Sequence, residues 1–135
     1  MPSRAPSPSV AVCPRFHYAV ELIGRRWTGA ILRALLDGAT RFTEISAAVP
    51  GLSDRLLSER LQELEDEGIV TRTVIPNRPV RVEYHLTEKG RALEAVLTAI
   101  ATWAETWIPL PVAEATCAER EAAAVAKEAQ PEPRQ

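Results

Sequence analysis

The 135-residue sequence predicts a mostly α-helical domain that carries a two-stranded β-ribbon. Three observations lead to this fold class. Apolar residues recur at spacings of three and four through most of residues 16–66 and 88–107, which is the period of an amphipathic helix. Residues 70–86 change to an alternation of two, which is the period of a strand. Glycine and proline stand between these segments, where helices are expected to stop.

Three helices are predicted before residue 50. The first covers residues 16–25 and the second covers residues 27–37, and each has an apolar stripe on one face. The third begins close to Thr43, which is expected to serve as its N-cap residue. Pro50 ends the third helix, so only a short turn separates it from the next helical segment.

The chain is organised around residues 52–70, which carry both a start and a stop signal for a helix. Ser53 is a favourable N-cap residue, and Gly68 suits the left-handed position just past the C-terminal end. Three leucines at helical spacing form the stripe that is expected to be buried. Together with the short helix before it, this segment predicts a helix–turn–helix. Its opposite face is formed by Arg55, Ser58, Glu59 and Gln62.

The charges of this helix are divided along its axis. Arg55 and Arg60 lie in the first half, and four acids crowd into residues 63–67. Acids at a helix C-terminus oppose the macrodipole, and we interpret them as a solvated end. A helix that offers its first half to a polyanion tolerates this division, and recognition helices enter the major groove of DNA with their N-terminal residues.

The ribbon is predicted from two runs joined by a proline-bounded turn at residues 76–79. The first strand covers residues 70–75, and the second covers residues 80–86 with Val80, Val82, Tyr84 and Leu86 on one buried face. The tip of the ribbon presents Asn77 and Arg78, with Arg81 close behind them. Both prolines stand at the turn, where a missing N–H group does not disturb the ladder.

A long last helix is predicted over residues 88–107, with Thr87 as its N-cap residue. Its apolar stripe is broader than a single small domain needs, and it includes Trp103 and Trp107. Large aromatic side chains are costly to leave in water. Burial against a second copy of the chain is therefore expected, which predicts a homodimer.

The domain is expected to span residues 13–108. Residues 1–12 are rich in proline and serine and are predicted to form a disordered arm. Residues 109–135 form an alanine- and glutamate-rich tail that is compatible with a helix. No run of 18 apolar residues and no signal-peptide core is found, so we expect a cytoplasmic protein without a membrane segment.

The composition excludes several classes of function. There is no glycine-rich phosphate loop, nucleophile elbow or catalytic carboxylate pair, so no enzyme is expected. No cluster has metal-ligand spacing, so neither a metal nor a cofactor is predicted. The net charge is −2, but residues 1–111 are neutral and 14 of the 16 basic residues are arginine. Arginine favours planar contacts to phosphate and guanine, so a local basic face is not excluded.

The order of helices, helix–turn–helix, two-stranded wing and last helix is that of a winged helix. The sequence resembles the HxlR family of bacterial transcriptional regulators, which is related to MarR-type proteins, over about residues 13–108. The matching words are CP at 13–14, ELIGRRW at 21–27, ILRAL at 31–35, RFTEI at 41–45, PGLS at 50–53, LQELE at 61–65 and PVRVEYHLTEKG at 79–90. Arg25 and Arg26 depart from the family's usual Gly-Lys before Trp27, so a local contact is expected to differ there.

The resemblance implies a homodimer that binds double-stranded DNA, more often as a repressor than as an activator. It places recognition helices in successive major grooves and wings at the flanking minor grooves. The residues that it implies for DNA contact are Arg41, Ser53, Arg55, Ser58, Glu59, Arg60, Asn77, Arg78 and Arg81. Arg55 is the best candidate for reading a guanine, and Glu59 either accepts from cytosine or repels wrong placements. For Arg60 a phosphate contact and a salt bridge to a neighbouring acid remain open.

Two hypotheses concern a signal. Cys13 stands where several members of the family sense oxidants or electrophiles, and Arg15 and the helix start favour a thiolate there; the alternative is an inert cysteine at the dimer contact. A second hypothesis is an apolar pocket for a small aromatic effector, and the alternative is that its residues belong to the core and dimer seam. The candidate pocket residues are Phe16, Tyr18, Trp27, Trp103 and Trp107. The competing function for the whole chain is a winged-helix interaction module without DNA binding.

Overall fold

The computed structural model describes residues 11–110, so the predicted arm and tail lie almost wholly outside the described residues. Within this range the order of elements is that of a winged helix, and the predicted fold class is confirmed. The first two helices differ from the prediction by only one or two residues at each end. The elements are α1 (Pro14–Ile23), α2 (Thr28–Leu36), α3 (Phe42–Ala48), α4 (Asp54–Asp66), β1 (Val70–Ile75), β2 (Arg81–Leu86), α5 (Glu88–Arg91) and α6 (Glu94–Trp107).

The core lies between α2, α3 and α4. The three leucines of the α4 stripe are buried as predicted, because the helical period places all of them toward α2 and α3. Ile69 and Val70, which connect α4 to the first strand of the wing, are also buried in this core. Its best-buried members are Ile31, Leu32, Ile45, Leu57, Leu61, Leu64, Ile69 and Val70.

Helix α4 begins and ends as the sequence predicts. The Ser53 hydroxyl oxygen accepts a hydrogen bond from the Leu56 N–H at 3.2 Å, so Ser53 is the N-cap residue. Gly68 adopts a φ of +73°, which a residue with a side chain rarely takes. The Ile69 N–H then donates to the Leu64 carbonyl at 2.9 Å, which closes the C-terminal motif and turns the chain into β1.

The cap predicted for α3 is wrong. Arg41, and not Thr43, holds the N-cap position, and arginine has no side-chain acceptor for a cap bond. Instead the Glu44 carboxylate reaches back and accepts from the N–H groups of Arg41 at 2.9 Å and Thr40 at 3.1 Å. This contact is half of a capping box, and it fixes where α3 starts.

The wing is an antiparallel ribbon in which Val70 lies opposite Leu86 and Val74 lies opposite Val82. The continuous buried face predicted for it is wrong, because Val80 lies outside β2 and is exposed, and Val74 is also exposed. Only the base of the ribbon packs on the core, since its outer half extends beyond the helices. On its free edge, β2 is tied to the segment before α3 by the Tyr84 N–H, which donates to the Thr40 carbonyl at 2.7 Å.

The long last helix is also different from the prediction. Thr87 caps a helix, as expected, by accepting from the Gly90 N–H at 3.1 Å, but that helix ends at Arg91. The Leu93 N–H donates to Gly90, three residues back, so the chain tightens before α6 begins. Gly90 is packed against the Ile69 carbonyl, and this close approach sets the position of α5 independently of α6.

Candidate DNA-binding surface

The exposed face of α4 presents the polar residues predicted for base contact. Arg55, Ser58 and Glu59 are all exposed, and the Arg55 side chain is 90% accessible. Arg55 Nε lies 3.3 Å from Glu59 Oε1, one helical turn further on. Such an exposed i, i+4 pair contributes little stability, so either group is free to exchange its partner for DNA.

Ser53 combines its capping role with an exposed position at the start of α4. Its hydroxyl oxygen accepts from Leu56, and the hydroxyl hydrogen remains able to donate outward. A donor at this point lies beside the first turn of α4, where unpaired N–H groups and the helix dipole favour an anion.

Arg60 has surroundings unlike those of Arg55. Its side chain is only 15% accessible, and its Nη1 lies 3.1 Å from Glu63 Oε1. Its Nε donates to the Arg26 carbonyl at 3.0 Å. Of the two roles that the sequence left open, the geometry favours the salt bridge; a DNA contact by Arg60 stays a prediction without support.

A cleft of about 480 Å³ opens between the start of α3 and the tip of the wing. Three arginines from two separate parts of the chain line this cleft together with Asn77: Arg41 at the start of α3, and Arg78 and Arg81 in the wing. No acid is among its lining residues. The bond between Tyr84 and Thr40 holds the two walls together. We refer to these three arginines and this cleft as the arginine cleft.

Arg81 is also paired within the wing. Its Nε lies 2.9 Å from Glu83 Oε2, although the angle is not that of a hydrogen bond and this Nε has no other hydrogen-bond partner in the described part of the chain. Glu83 Oε1 in turn lies 2.9 Å from His85 Nε2. His85 is therefore half-buried beside Glu83.

Two side chains, Glu44 and Tyr18, have pKa values that are shifted by the contacts they make with neighbouring groups. The backbone N–H groups of Arg41 and then Thr40 hold the pKa of Glu44 below its ordinary value, since they stabilise the carboxylate. The hydrogen bond that Tyr18 donates to Glu67, together with the negative charge of Glu67, raises the pKa of the Tyr18 phenol.

Cys13 lies immediately before α1. It occupies the N-cap position, Pro14 is the first helical residue, and the Cys13 carbonyl accepts from the His17 N–H at 3.0 Å. The thiol is free and exposed. Cys117 lies outside the described residues.

The aromatic residues predicted to share an effector pocket are spread over the molecule. Trp27 lies in the turn before α2, and its ring approaches Gly51 in the turn before α4. Trp103 and Trp107 are 58% and 69% accessible on α6, and Phe16 is exposed on α1. A separate groove of about 530 Å³ between α1, α2 and α6 contains none of them. It is lined by Val20, Ile23, Gly24, Gly29, Arg33, Val96, Leu97, Ile100 and Ala101.

Two of the acids at the end of α4, Glu63 and Glu67, have partners outside the helix, which the sequence interpretation missed. Glu63 pairs with Arg25 at 2.8 Å as well as with Arg60, and Glu67 accepts from Tyr18. The sequence signal that could have revealed these contacts is the unfavourable position of the acids at a helix C-terminus, since charges that oppose the macrodipole are expected to have partners.

Among residues 11–110, no helix is long and apolar enough to cross a membrane. The same part of the chain contains no group of three or more potential metal-ligating side chains.

A helix–turn–helix with an exposed polar recognition helix, flanked by a wing with an arginine cleft, defines a winged-helix DNA-binding protein. Comparison with known sequences identifies the family. A sequence model described as HxlR-like helix-turn-helix matches residues 22–111, and the chain belongs to this family. The predicted family is confirmed, and DNA binding and transcription regulation are the function of its class.

Two curated relatives come from Bacillus subtilis (strain 168). The HTH-type transcriptional regulator YvaP is 56% identical over 97 residues, which are 72% of this chain and 90% of YvaP. The HTH-type transcriptional regulator YodB is 48% identical over 94 residues, which are 70% of this chain and 84% of YodB.

Solved structures show the same fold. The reduced form of YodB has a TM-score of 0.65 at 46% identity, covering 73% of this chain and 96% of that chain. Quinone-bound YodB has a TM-score of 0.61 at 44% identity, covering 70% of this chain and 99% of that chain. The redox regulator HypR in its oxidized form has a TM-score of 0.65 at 38% identity, covering 70% of this chain and 96% of that chain.

Proposed function

We propose that the protein regulates transcription as a homodimer that binds a two-fold symmetric DNA site through α4 and the wing. The observation that carries this proposal is the arginine cleft beside an exposed recognition helix. The three arginines form a local basic surface on a chain that is not basic overall, with one of them, Arg81, paired to Glu83. The protein acts without catalysing a reaction, and its place of action is the cytoplasm, where the DNA target lies.

The contacts divide into two kinds. Arg55, aided by Ser58 and Glu59, reads base edges, because a mobile arginine on a recognition helix pairs bidentately with guanine. Ser53 and the arginine cleft hold phosphates. Such contacts fix the position of the protein on the duplex and do not depend on the DNA sequence. Asn77 adds a polar contact at the wing tip.

The dimer is supported by the apolar surface that α1 and α6 share. Val20, Val96, Ile100, Trp103 and Trp107 are exposed there, and the 530 Å³ groove runs between the same helices. An exposed apolar surface with protruding tryptophans next to an apolar groove is suited to a second copy of itself. The two recognition helices then meet successive major grooves, about one helical turn apart.

Cys13 is the proposed point of response to an electrophile or oxidant. Two observations support this role: the thiol is exposed at the start of α1, and relatives of the same fold have been solved as quinone-bound YodB and as oxidized HypR. A small aromatic effector remains the second proposal, and the apolar groove offers it a better place than the scattered aromatic residues.

In vitro selection from a random 30-base-pair library tests the DNA proposal. The full chain is expected to recover a two-fold symmetric sequence with half-sites centred about 10 base pairs apart. Recovery of no common sequence, or of an asymmetric one, would contradict the proposal.

The response is tested on the recovered duplex with 1,4-benzoquinone as the probe. We expect wild-type protein and Cys117→Ser to lose affinity after treatment, and Cys13→Ser to keep it. Cys117→Ser is the matched control because the chain has only these two cysteines. Equal loss in Cys13→Ser would exclude Cys13 as the point of response.

A further inference from the structure

Three side chains join the turn after the first helix to the recognition helix through a single carboxylate oxygen. Glu63 Oε1 on α4 lies 2.8 Å from Arg25 Nη1 and 3.1 Å from Arg60 Nη1. The Arg60 Nε donates at the same time to the Arg26 carbonyl at 3.0 Å. We call Arg25, Arg60 and Glu63 the α1–α4 clasp.

Accessibility distinguishes the clasp from the surface that faces DNA. Arg60 is 15% accessible, whereas Arg55 on the same helix is 90% accessible. Two edges of the Arg60 guanidinium make contacts within the protein: one donates to the Arg26 carbonyl and the other faces the Glu63 carboxylate. This pair of contacts depends on the planar fork of arginine, which a lysine ammonium does not reproduce.

The backbone beside the clasp is strained. Trp27 has a φ of +75°, a left-handed conformation that a bulky residue rarely adopts. Strain of this kind persists only where the surrounding contacts fix the chain. The Trp27 ring lies against Gly51, where an added Cβ would stand 3.6 Å from it, so the same turn touches both α4 and the turn that precedes α4.

A second contact ties α1 to the end of α4. Tyr18 donates to the Glu67 carboxylate, and Lys89 donates to the Glu67 carbonyl. No residue of α1 is fully buried, so polar contacts are a large part of its attachment to the domain. Glu63 and Glu67, two of the acids at the C-terminal end of α4, therefore share one role, which is to hold α1 and the turn that follows it.

We propose that the α1–α4 clasp is a positioning device: Arg60 and Glu63 set the orientation of the recognition helix on α1 and do not contact DNA. This inference depends on the proposed function, in which α4 reads the DNA.

A phosphate contact by Arg60 predicts different behaviour. Each phosphate neutralised contributes about 0.9 to the slope of log affinity against log salt. Arg60→Lys keeps the charge, so it preserves a phosphate contact but breaks the clasp. The substitution Glu63→Gln removes an acid, so it raises affinity if Glu63 merely repels DNA and lowers affinity if Glu63 positions α4.

The first arm of the test is fluorescence anisotropy on the selected duplex and on a scrambled duplex over a range of salt. Arg60→Ala, Arg60→Lys and Glu63→Gln are each expected to weaken selective binding about tenfold, the equivalent of one charge-assisted hydrogen bond. Their salt slopes are expected to match the wild type on both duplexes. Arg91→Ala, which removes an exposed arginine from α5, is the matched control and is expected to bind as the wild type does.

The second arm measures hydrogen exchange in the free protein. Faster exchange is expected in residues 14–27 and 54–66 of Arg60→Ala and Glu63→Gln, and unchanged exchange in Arg91→Ala. Unchanged exchange in the two clasp variants overturns the inference, whatever the DNA result. A shallower salt slope in Arg60→Ala that Arg60→Lys restores, or tighter binding by Glu63→Gln, also overturns it. If wild type binds neither duplex, the proposed function fails, while the exchange arm still decides whether the clasp holds α4.

Discussion

At the scale of single residues, Arg55 and Arg60 show how far chemistry depends on surroundings. Both are arginines in the N-terminal half of one helix, and the family resemblance implied DNA contact for both, with a salt bridge left open for Arg60. The structure leaves Arg55 exposed beside Glu59 and places Arg60 against Arg26 and Glu63. The exposed arginine is suited to reading bases, and the enclosed one is suited to holding the helix.

The division between base reading and phosphate holding is testable on Arg55 and Arg78. Arg55→Ala is expected to lose discrimination at one base pair, by about 1–3 kcal/mol. Arg78→Ala is expected to weaken all sequences alike and to make the salt slope shallower by about one. Anisotropy titrations on the selected duplex and its single-base variants measure both effects. Equal losses on selected and scrambled DNA for both variants would refute the division.

The cap of α3 gives a prediction about pH. Because N–H donors stabilise the Glu44 carboxylate, its pKa is lower in the folded than in the unfolded protein. Its contribution to stability is therefore present above the unfolded pKa and is lost as the pH falls through the folded pKa. In urea denaturation, Glu44→Ala is expected to be less stable than wild type at pH 7, with the difference shrinking at pH 3.

Thr43→Ala is the control for that measurement, because the sequence named Thr43 as the cap. We expect its free energy of unfolding to stay within about 0.5 kcal/mol of wild type at both pH values. A larger loss in Thr43→Ala than in Glu44→Ala would restore the sequence-based cap.

Residue roles were only partly predictable from the sequence. Ser53 and Gly68 were predictable because a cap and a left-handed glycine depend on their immediate neighbours. The roles of Arg60 and Glu63 were not, because their partners Arg25 and Arg26 are more than 30 positions away. The apolar period along one helix indicates which side of that helix a residue faces. It does not indicate which residues of other elements lie opposite that side.

At the scale of elements, local packing decides where the wing and the last helix end. The periods predicted α4, both strands and the helical character of residues 88–107. They did not predict the break between α5 and α6, where the Leu93 N–H donates to Gly90 three residues back and Gly90 lies against the Ile69 carbonyl across the fold. Nor did they show that the outer half of the wing extends past the core, which leaves Val74 and Val80 exposed.

The position of α5 predicts a strong effect of a single methyl group. In Gly90→Ala the new Cβ would overlap the Ile69 carbonyl oxygen, so the chain must move. We expect a loss of about 1–3 kcal/mol in the free energy of unfolding, measured in urea. Arg91→Ala, exposed on the same short helix, is expected to stay within about 0.5 kcal/mol. Equal stability of the two variants would show that α5 does not pack as closely as described.

At the scale of the whole molecule, the described residues present two surfaces of different chemistry. The helix–turn–helix and wing present cations, and α1 and α6 present apolar side chains next to a groove. The clasp lies between these surfaces, where it joins the helix of one to the helix of the other. The sequence predicted both surfaces from composition and resemblance, whereas their connection depends on contacts between distant residues.

The assembly is testable on the tryptophans of α6. Trp103→Asp and Trp107→Asp are each expected to give monomers in sedimentation velocity, because a carboxylate in an apolar seam has a large desolvation cost. Val80→Asp changes an equally exposed apolar residue at the wing tip and is expected to remain dimeric. A dimer in both tryptophan variants would exclude α6 from the interface.

The central claim is selective DNA binding by α4 and the wing, and the ratio of two affinities tests it most directly. Fluorescence anisotropy of the full chain on the selected duplex and on its scrambled counterpart, near physiological salt, measures this ratio. We expect the selected duplex to bind at least about 1,000-fold more tightly, as specific regulators do. Equal affinities at every salt concentration would contradict the claim and would favour a winged helix that recognises something other than a DNA sequence.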